Sequence, residues 1–447
     1  MKNFLAKNYL FLILIFLALL TRFVFLDYPS EVVFDEVHFG KFVSAYFTHQ
    51  YYFDIHPPLG KLMIAGLARL NFAAANFGGF AQIGEVKDAH TLFILRFLPA
   101  LFGAFLPLVF YGLVLVLGGS KKAGFLAGFL VVFDNAFLVE SKFLLVDSFL
   151  FFFGFSSLLV FLISRKQENR FRKYLFYFLS MALAGLALSI KWTGLAFLGI
   201  NLILSFIAML KRVSFKRFLK FSFEVAVSLI LVVIVYTLPF VIHFRMLTKS
   251  GAGDAFMSLD FQKTLSGSQL FQPDFKMSFW QKFGELNQKM WFYNSTLDKT
   301  HPDGSTFKEW PFLKKPVWYW SKTVNKQRGD IYLFGNPVLW LASLFISIVA
   351  VFKLKNSNKW ILLLGFLASY LPFVFVSRVA FLYHYLPALG FLILLLALWS
   401  DRFPLAFYLG FSFLVFLSFV AISPLSYGFM LPIKASQIYQ AILILFR

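Results

Sequence analysis

Residues 91–118, TLFILRFLPALFGAFLPLVFYGLVLVLG, form an apolar run in which Arg96 is the only charged residue. The run exceeds the roughly 20 residues that a helix needs to cross the hydrocarbon core of a bilayer. Similar runs recur along the 447 residues, of which 60% are hydrophobic and 14% are charged. That composition excludes a soluble globular enzyme and a disordered chain. The runs are continuous rather than alternating, so we predict an all-α polytopic membrane protein instead of a membrane β-barrel.

The apolar runs predict eleven membrane-spanning helices. These are about Phe4–Leu26, 91–118, 123–140, 143–163, 174–190, 192–210, 224–243, 337–353, 360–377, 379–399 and 404–423. With a cytoplasmic N-terminus, the basic residues of the short loops all fall inside, as the positive-inside rule requires. They lie at 121–122, 165–173, 211–220 and 353–359 and at Arg402. These loops explain the net charge of +21, so we expect no nucleic-acid partner. The breaks at 140–142 and 191–192 are weak and fit kinked or re-entrant structure equally well.

The same topology divides the chain into three parts. Residues 1–243 form an N-terminal module with a first outer loop at 27–90, residues 244–336 form a second outer loop, and residues 337–447 form a module of four helices and an outer tail. Two stretches of the first outer loop have the apolar spacing of amphipathic helices, which we expect to lie along the membrane surface. Their apolar positions are Phe39, Phe42, Val43, Tyr46 and Phe47, and then Leu59, Leu62, Met63, Leu67 and Leu70.

Asp35 and Glu36 stand together where the first of these helices begins. Acidic residues are favoured there by the helix dipole alone. The alternative is a carboxylate base at the boundary between lipid and water, since two adjacent desolvated acids perturb each other's ionisation.

Other polar residues interrupt or end the apolar runs. Arg22 and Arg96 near the ends of two spans either reach the interface or point into a polar cavity. Lys191, Arg378, His384 and Tyr385 fit either a cationic rim for a lipid phosphate or mutual packing. Four charged residues, Asp134, Glu140, Lys142 and Asp147, are costly within spans unless they face a cavity or each other. The chain has no cysteine, and no nucleotide or metal motif is present, so we expect no cofactor and no metal.

Two segments closely resemble the first luminal loop of the protein O-mannosyltransferases. They are Val33-Phe34-Asp35-Glu36-Val37-His38-Phe39-Gly40-Lys41 and Asp54-Ile55-His56-Pro57-Pro58-Leu59-Gly60-Lys61. The segments 144–147 (LLVD), 191–194 (KWTG) and 381–387 (FLYHYLP) are also similar to that family. In the second outer loop, His301, Ser305, Trp310-Pro311 and 315–319 (KPVWY) resemble its bacterial branch.

The resemblance implies a GT-C type fold and an inverting transfer of mannose from polyprenyl-phosphate mannose to serine or threonine of secreted or membrane proteins. It also implies a site on the outer face of a bacterial inner membrane and a possible dimer. Asp35 matches the position of the base, and Glu36 matches its partner. The implied donor-binding residues are Arg22, Arg96, Lys191, Arg378, His384 and Tyr385. Residues expected to bind the acceptor or shape the site are Asp54, His56, Lys142, Asp147, His301 and Trp310.

The chain departs from the family at two points. The second outer loop is too short for the β-trefoil domain of the eukaryotic enzymes, and Lys142 stands where an arginine is expected. Two other functions stay open. One is a sugar transferase that acts on a glycolipid such as lipid A, and the other is a transporter or flippase for lipid-linked sugars. The lack of an internal repeat argues against the transporter.

Overall fold

The computed structural model describes residues 2–71, 76–211, 213–296, 300–353, 359–376 and 378–447. Arg212 and Lys355 of the predicted cytoplasmic loops therefore lie outside the described residues. The chain is mainly helical, as the composition predicts. Its helices in chain order are α1 (Lys2–Phe23), α2 (Glu36–Thr48), α3 (Leu59–Arg69), α4 (Ala89–Val116), α5 (Lys121–Val132), α6 (Asn135–Lys142), α7 (Asp147–Arg165), α8 (Arg170–Leu188), α9 (Leu195–Leu210), α10 (Phe215–Met246), α11 (Leu259–Lys263), α12 (Phe279–Thr296), α13 (Pro337–Lys353), α14 (Trp360–Tyr370), α15 (Leu386–Ser400), α16 (Leu405–Tyr427) and α17 (Ile433–Leu445).

Within the described ranges, seven helices are long and apolar enough to cross a membrane, and a bent pair makes an eighth. The remaining three of the eleven predicted runs form shorter apolar helices, at Asn8–Phe23, Pro337–Val349 and Trp360–Phe375. The bent pair is α5 and α6, which meet at 60°. The weak break predicted at 140–142, between the runs 123–140 and 143–163, lies at 143–146, between α6 and α7. The break within the bent pair, at Phe133–Asp134, falls inside the predicted run 123–140. It arises because the Asp134 carboxylate accepts hydrogen bonds of 3.0 Å from the amides of Ala136 and Phe137 and so starts a new helix.

The bend brings α6 against α4. Gly103 of α4 faces Ser141 of α6 so closely that a Cβ at Gly103 would lie 2.2 Å from the Ser141 Cβ. This close approach holds α6, and with it Glu140, in the interior of the bundle.

Both amphipathic helices predicted in the first outer loop are present, as α2 and α3. The apolar face of α2 is buried through Phe39, Val43 and Tyr46. The break predicted at 191–192 is also present, as a single 3-10 turn at Trp192–Gly194 between α8 and α9.

A small antiparallel sheet, for which the sequence analysis predicted no strands, forms in the second outer loop. Its strands are β1 (Val317–Val324), β2 (Gln327–Leu333) and β3 (Leu431–Pro432), in the order β1-β2-β3. Asn325 and Lys326 connect β1 to β2 with positive φ angles of 49° and 59°. These are the angles that a tight hairpin turn needs. The tail thus adds a strand to the outer loop before it continues into α17.

Candidate active site

A cavity of about 410 Å³ lies where the first outer loop meets the α6–α7 connection and the segment before α15. It brings together residues that are far apart in the sequence. Its acidic, basic and imidazole side chains are Asp35, His38, Asp54, His56, Glu140, Asp147, Lys191, Arg378 and His384. Seven of the predicted site residues therefore line one cavity, namely Asp35, Asp54, His56, Asp147, Lys191, Arg378 and His384.

Asp35 occupies the N-cap position of α2, but its side chain makes no capping hydrogen bond. Its carboxylate instead contributes to the cavity wall. Burial raises the pKa of Asp35 above its ordinary value, and the nearby carboxylates of Asp54 and Asp147 add to the rise, whereas His38 and Lys191 oppose it. A free carboxylate with a raised pKa is a stronger base than an exposed one, as proton abstraction requires.

Glu36 is fully buried and does not line the cavity. Its carboxylate accepts hydrogen bonds from Arg96, at 2.7 and 2.8 Å, and from the amides of Val33 (2.9 Å) and Leu144 (2.8 Å). These bonds tie the start of α2 to the segment that carries Asp147. The oxygens of Glu36 are therefore enclosed, so the geometry gives no support for direct contact of Glu36 with a substrate. A role of Glu36 as the partner of Asp35 stays a prediction.

Arg96 was predicted to bind the donor, but the structure encloses it completely. Besides Glu36, its guanidinium donates hydrogen bonds to the carbonyls of Leu26 (3.2 Å), Pro29 (3.0 Å) and Glu31 (2.9 Å). Arg96 therefore fixes the backbone that connects α1 to α2, and it has no contact with the cavity.

Arg22 and Lys142 need the same correction. Arg22 donates to the carbonyls of Val131 (2.8 Å) and Val132 (2.7 Å) at the end of α5. Lys142 donates to the carbonyls of Val24 (3.1 Å) and Phe25 (2.7 Å) after α1. Both cations satisfy carbonyls at or beyond helix ends, where positive charge is stabilising. Neither side chain lines the cavity, so we no longer assign them to donor or acceptor.

Three further predicted residues lie behind the cavity wall. Trp310 is buried, donates its indole N–H to Ser305 Oγ at 3.0 Å, and lies parallel to the His384 ring with centroids 6.0 Å apart. Tyr385 packs between Trp340 and Tyr370. His301 is exposed and meets the Phe381 ring edge-on at 5.1 Å. These residues support the wall but do not form it.

A second cavity, of about 520 Å³, adjoins the first and is mainly apolar. Its apolar lining includes Leu150 and Phe151 of α7, Leu195 of α9, Ala368 of α14 and Phe373 of the 3-10 turn that follows α14. The residues that line both cavities are Ile55, His56, Asp147, Lys191, Arg378, Tyr383 and His384. A chamber that holds nine acidic, basic and imidazole side chains among aromatic ones thus meets a more apolar chamber at one wall, which carries Lys191, Arg378 and the Asp147 carboxylate.

Ion pairs organise this shared wall. Lys191 Nζ bonds the Asp147 carboxylate at 2.6 Å and lies 5.6 Å from the centre of the Tyr383 ring. Within the first outer loop, Lys61 pairs with Asp54 and donates to the His56 carbonyl at 2.9 Å. Burial, followed by the positive charges of Lys191 and Lys61, holds the pKa of His56 well below its usual value. The His56 imidazole is therefore neutral at pH 7.

Sequence reasoning did not include Lys61, Glu140, Tyr319 or Tyr383 among the candidate site residues. Lys61 and Tyr383 lie inside segments quoted for the family resemblance, and Glu140 interrupts an apolar run. Tyr319 likewise lies in the quoted segment 315–319. Neither the family resemblance nor the interrupted apolar run indicated what these side chains contact. Within the described ranges, no group of three or more His, Cys, Asp or Glu side chains is placed to hold a metal ion.

The fold is that of the GT-C membrane glycosyltransferases. It matches the Saccharomyces cerevisiae protein O-mannosyltransferase Pmt1-Pmt2 complex bound to the sugar donor with a TM-score of 0.85 and 21% identity, over 95% of this chain and 90% of that chain. It matches apo ArnT from Cupriavidus metallidurans with a TM-score of 0.56 and 14% identity, over 91% of this chain and 62% of that chain.

The sequence identifies the family within this class. The family model described as dolichyl-phosphate-mannose-protein mannosyltransferase matches residues 12–248, and the one for the C-terminal four TMM region of protein-O-mannosyltransferase matches residues 279–443. The chain therefore belongs to the protein O-mannosyltransferase family. It is 35% identical over 268 residues to protein O-mannosyltransferase 1 of Drosophila melanogaster, covering 57% of this chain and 30% of that protein. The chain spans about a third of the length of the curated relatives it matches.

Proposed function

We propose that this chain transfers mannose from a polyprenyl-phosphate carrier to serine or threonine hydroxyls of proteins, with inversion at the sugar. The observation that carries the proposal is the uncapped Asp35 carboxylate in a cavity that shares the wall of Lys191, Arg378 and His384 with a second, mainly apolar cavity. Family membership supports the same function. So does the fold shared with a relative described as bound to its sugar donor.

The two cavities match the two ends of such a donor. The second, mainly apolar cavity suits the first part of a polyprenyl chain, and the first cavity, with its carboxylates, imidazoles and aromatic rings, suits a sugar and an incoming hydroxyl. The phosphate then lies between them, at the wall formed by Lys191, Arg378 and His384. Charge-assisted hydrogen bonds there stabilise the negative charge that develops on the leaving phosphate.

The chemistry is a single displacement. The acceptor oxygen forms a bond to the anomeric carbon while the bond from that carbon to the phosphate oxygen breaks, and the phosphate leaves with the electron pair. Asp35 accepts the proton of the hydroxyl as the new bond forms. One displacement inverts the anomeric configuration.

The predicted topology also indicates on which side of the membrane the site lies. The predicted topology puts both outer loops, and therefore Asp35, on the extracytoplasmic side of a membrane. We propose the bacterial inner membrane as that membrane. An assembly of two chains, which the family resemblance implies, stays a prediction.

A transfer assay tests the proposed function against its alternatives. Purified protein in liposomes receives labelled polyprenyl-phosphate mannose and a peptide with one serine or threonine, and an alanine version of the peptide is the matched control. We expect label in the hydroxyl peptide only. With lipid A included in the liposomes, label in lipid A rather than in the peptide would favour glycolipid transfer, and labelled donor crossing the bilayer without product would favour a flippase. Either result would overturn the proposal.

The raised pKa of Asp35 predicts a pH dependence. Asp35 acts only as the carboxylate, so activity falls as the pH falls through its pKa, which lies above the ordinary aspartate value of 3.8. We expect the acid limb of kcat/KM to lie above that value, because kcat/KM reports the ionisation of the free enzyme. The measurement is the transfer rate across a buffer series. An acid limb at or below the ordinary value would contradict the assignment.

Arg378 provides a test of the donor wall. We expect Arg378→Ala to raise the donor KM by about 10–100-fold, since a hydrogen bond to a charged group contributes about 1.5–3 kcal/mol. The matched control is Arg402→Ala. Arg402 is exposed, lies over the Trp399 ring at 4.5 Å and lines neither cavity. Donor titration of both variants checks this, and an unchanged donor KM in Arg378→Ala would remove Arg378 from the phosphate site.

A further inference from the structure

The backbone immediately before Asp35 is strained. Phe34 has a φ of 48°, in the left-handed region that residues other than glycine rarely adopt. Such a conformation persists only when surrounding contacts enforce it, and it costs free energy otherwise. Because Phe34 directly precedes Asp35, its backbone angles set the direction in which the Asp35 side chain leaves the chain. A contact that fixes the Phe34 backbone therefore also fixes the direction of the Asp35 carboxylate.

Tyr319 of β1 contacts Phe34 in two ways. The Phe34 amide donates a hydrogen bond of 3.0 Å to the Tyr319 carbonyl. The two rings stack with centroids 4.0 Å apart and planes 12° from parallel. Tyr319 is fully buried, whereas Phe34 is half-buried and lines the cavity.

A third contact connects Tyr319 to another carboxylate of the cavity. The Tyr319 hydroxyl donates a hydrogen bond of 2.6 Å to Glu140 Oε1. Glu140 lines the cavity together with Asp35. One side chain of the second outer loop therefore fixes both the turn that carries the base and a carboxylate in the same chamber.

The sheet explains why Tyr319 is available for these contacts. In the β1–β2 ladder Trp318 pairs with Tyr332 and Trp320 pairs with Ile331, so Tyr319 is the extra residue of a β-bulge. An extra residue is left out of the ladder and its side chain is redirected, a device that is over-represented next to active sites. The Tyr319 carbonyl is thereby free to accept from Phe34 rather than from β2.

We propose that Tyr319 is a positioning residue for Asp35, which acts through the strained Phe34 backbone and the Glu140 carboxylate. This inference rests on the proposed function, and it assigns the second outer loop a part in the chemistry. The hairpin would set the geometry of the base rather than bind the lipid donor.

A double-mutant cycle tests the inference. We expect Tyr319→Ala to lower kcat by about 10–100-fold, because a displacement of about 1 Å can cost about 10²-fold in rate. The peptide KM should change little. Phe34→Gly adopts a positive φ without strain, so it no longer needs Tyr319 to hold it. In the Phe34→Gly background, Tyr319→Ala should therefore cost much less than in the wild type. Independent effects would simply multiply.

Two further variants distinguish a positioning role of Tyr319 from a general loss of structure. Tyr319→Phe keeps the ring stack and loses only the hydroxyl bond to Glu140, so we expect it to retain more activity than Tyr319→Ala. Tyr332→Ala is the control on β2, since Tyr332 packs with Leu425 and Leu443 away from the cavity. Its kcat should equal that of the wild type. If Tyr319→Ala does not fold, Tyr319→Leu replaces it in the same cycle.

The outcomes distinguish this inference from the proposed function. Failure of the wild type to mannosylate the peptide would reject the proposed function. Normal transfer by the wild type, combined with fully multiplicative effects of the two substitutions, would overturn the role of Tyr319 alone. So would a Tyr319→Ala variant whose peptide KM rises while kcat stays unchanged.

Discussion

Asp35→Asn is expected to lower kcat for transfer to a peptide by about 10²–10⁴-fold, the usual cost of removing a general base. The amide is nearly isosteric with the carboxylate but cannot accept the proton of the hydroxyl. Because Asp35 makes no capping hydrogen bond, the substitution should leave the fold intact. The measurement is the initial rate at saturating donor and peptide, together with the thermal unfolding temperature.

The matched control for this variant is Asp260→Asn. Asp260 is exposed on α11, pairs with Lys263 at 2.7 Å and does not line either cavity. It loses the same charge without touching the reaction, so its rate should equal that of the wild type. Wild-type turnover by Asp35→Asn would show that another group takes the proton.

Glu36→Gln is expected to produce the largest loss of stability. The carboxylate pairs with a completely buried guanidinium, and removing one partner of a buried pair costs about 3–5 kcal/mol, because it leaves the other charge uncompensated. Two amides, those of Val33 and Leu144, also depend on the Glu36 oxygens. We expect a lower unfolding temperature in detergent, with activity lost as the start of α2 loosens.

An exposed ion pair provides the control for this loss of stability. Glu224→Gln breaks the pair of Glu224 with Lys220, which joins neighbouring turns of α10 at 3.7 Å. Lys220 is exposed, so the loss should stay below about 1 kcal/mol. The double variant Glu36→Gln with Arg96→Met should recover part of the stability, because it removes the stranded charge. If Glu36→Gln unfolds at the wild-type temperature, the pair does not hold the loop.

Most helices could be predicted from the spacing of apolar residues and the length of the apolar runs. The spacing of Phe39, Val43 and Tyr46 predicted α2, and these residues do form its buried face. The position of Asp35 at the start of that helix was also readable, because helix beginnings have local sequence signals. What the local pattern left open was whether the carboxylate caps the helix or faces a cavity.

The roles of the basic residues depended on contacts that no local pattern reveals. Arg22 near the end of a span was compatible with an interfacial and with a cavity position. Its partners are the carbonyls of Val131 and Val132, about which residue spacing says nothing. Lys142 and Arg96 behave alike, since each satisfies backbone carbonyls of a connection that is distant in sequence. Lys191 differs because Asp147 holds it at the junction of the cavities.

The sheet escaped prediction for a different reason. Residues 317–324 (VWYWSKTV) are rich in aromatic and β-branched residues, which favour strands, but they overlap the stretch 315–319 that resembles the family and were assigned to the second outer loop without strands. A β-bulge changes the direction of one side chain through register, and register depends on the partner strand. The contacts of Tyr319 could therefore appear only in the folded chain.

A structure of the Asp35→Asn variant with donor and acceptor peptide bound tests the account most directly. We expect the acceptor hydroxyl to lie within about 3.2 Å of the side chain at position 35, the reach that a general base needs. We also expect the donor phosphate to contact Lys191 and Arg378, with the lipid in the apolar cavity. A hydroxyl directed at another carboxylate, or a phosphate bound by other cations, would contradict it.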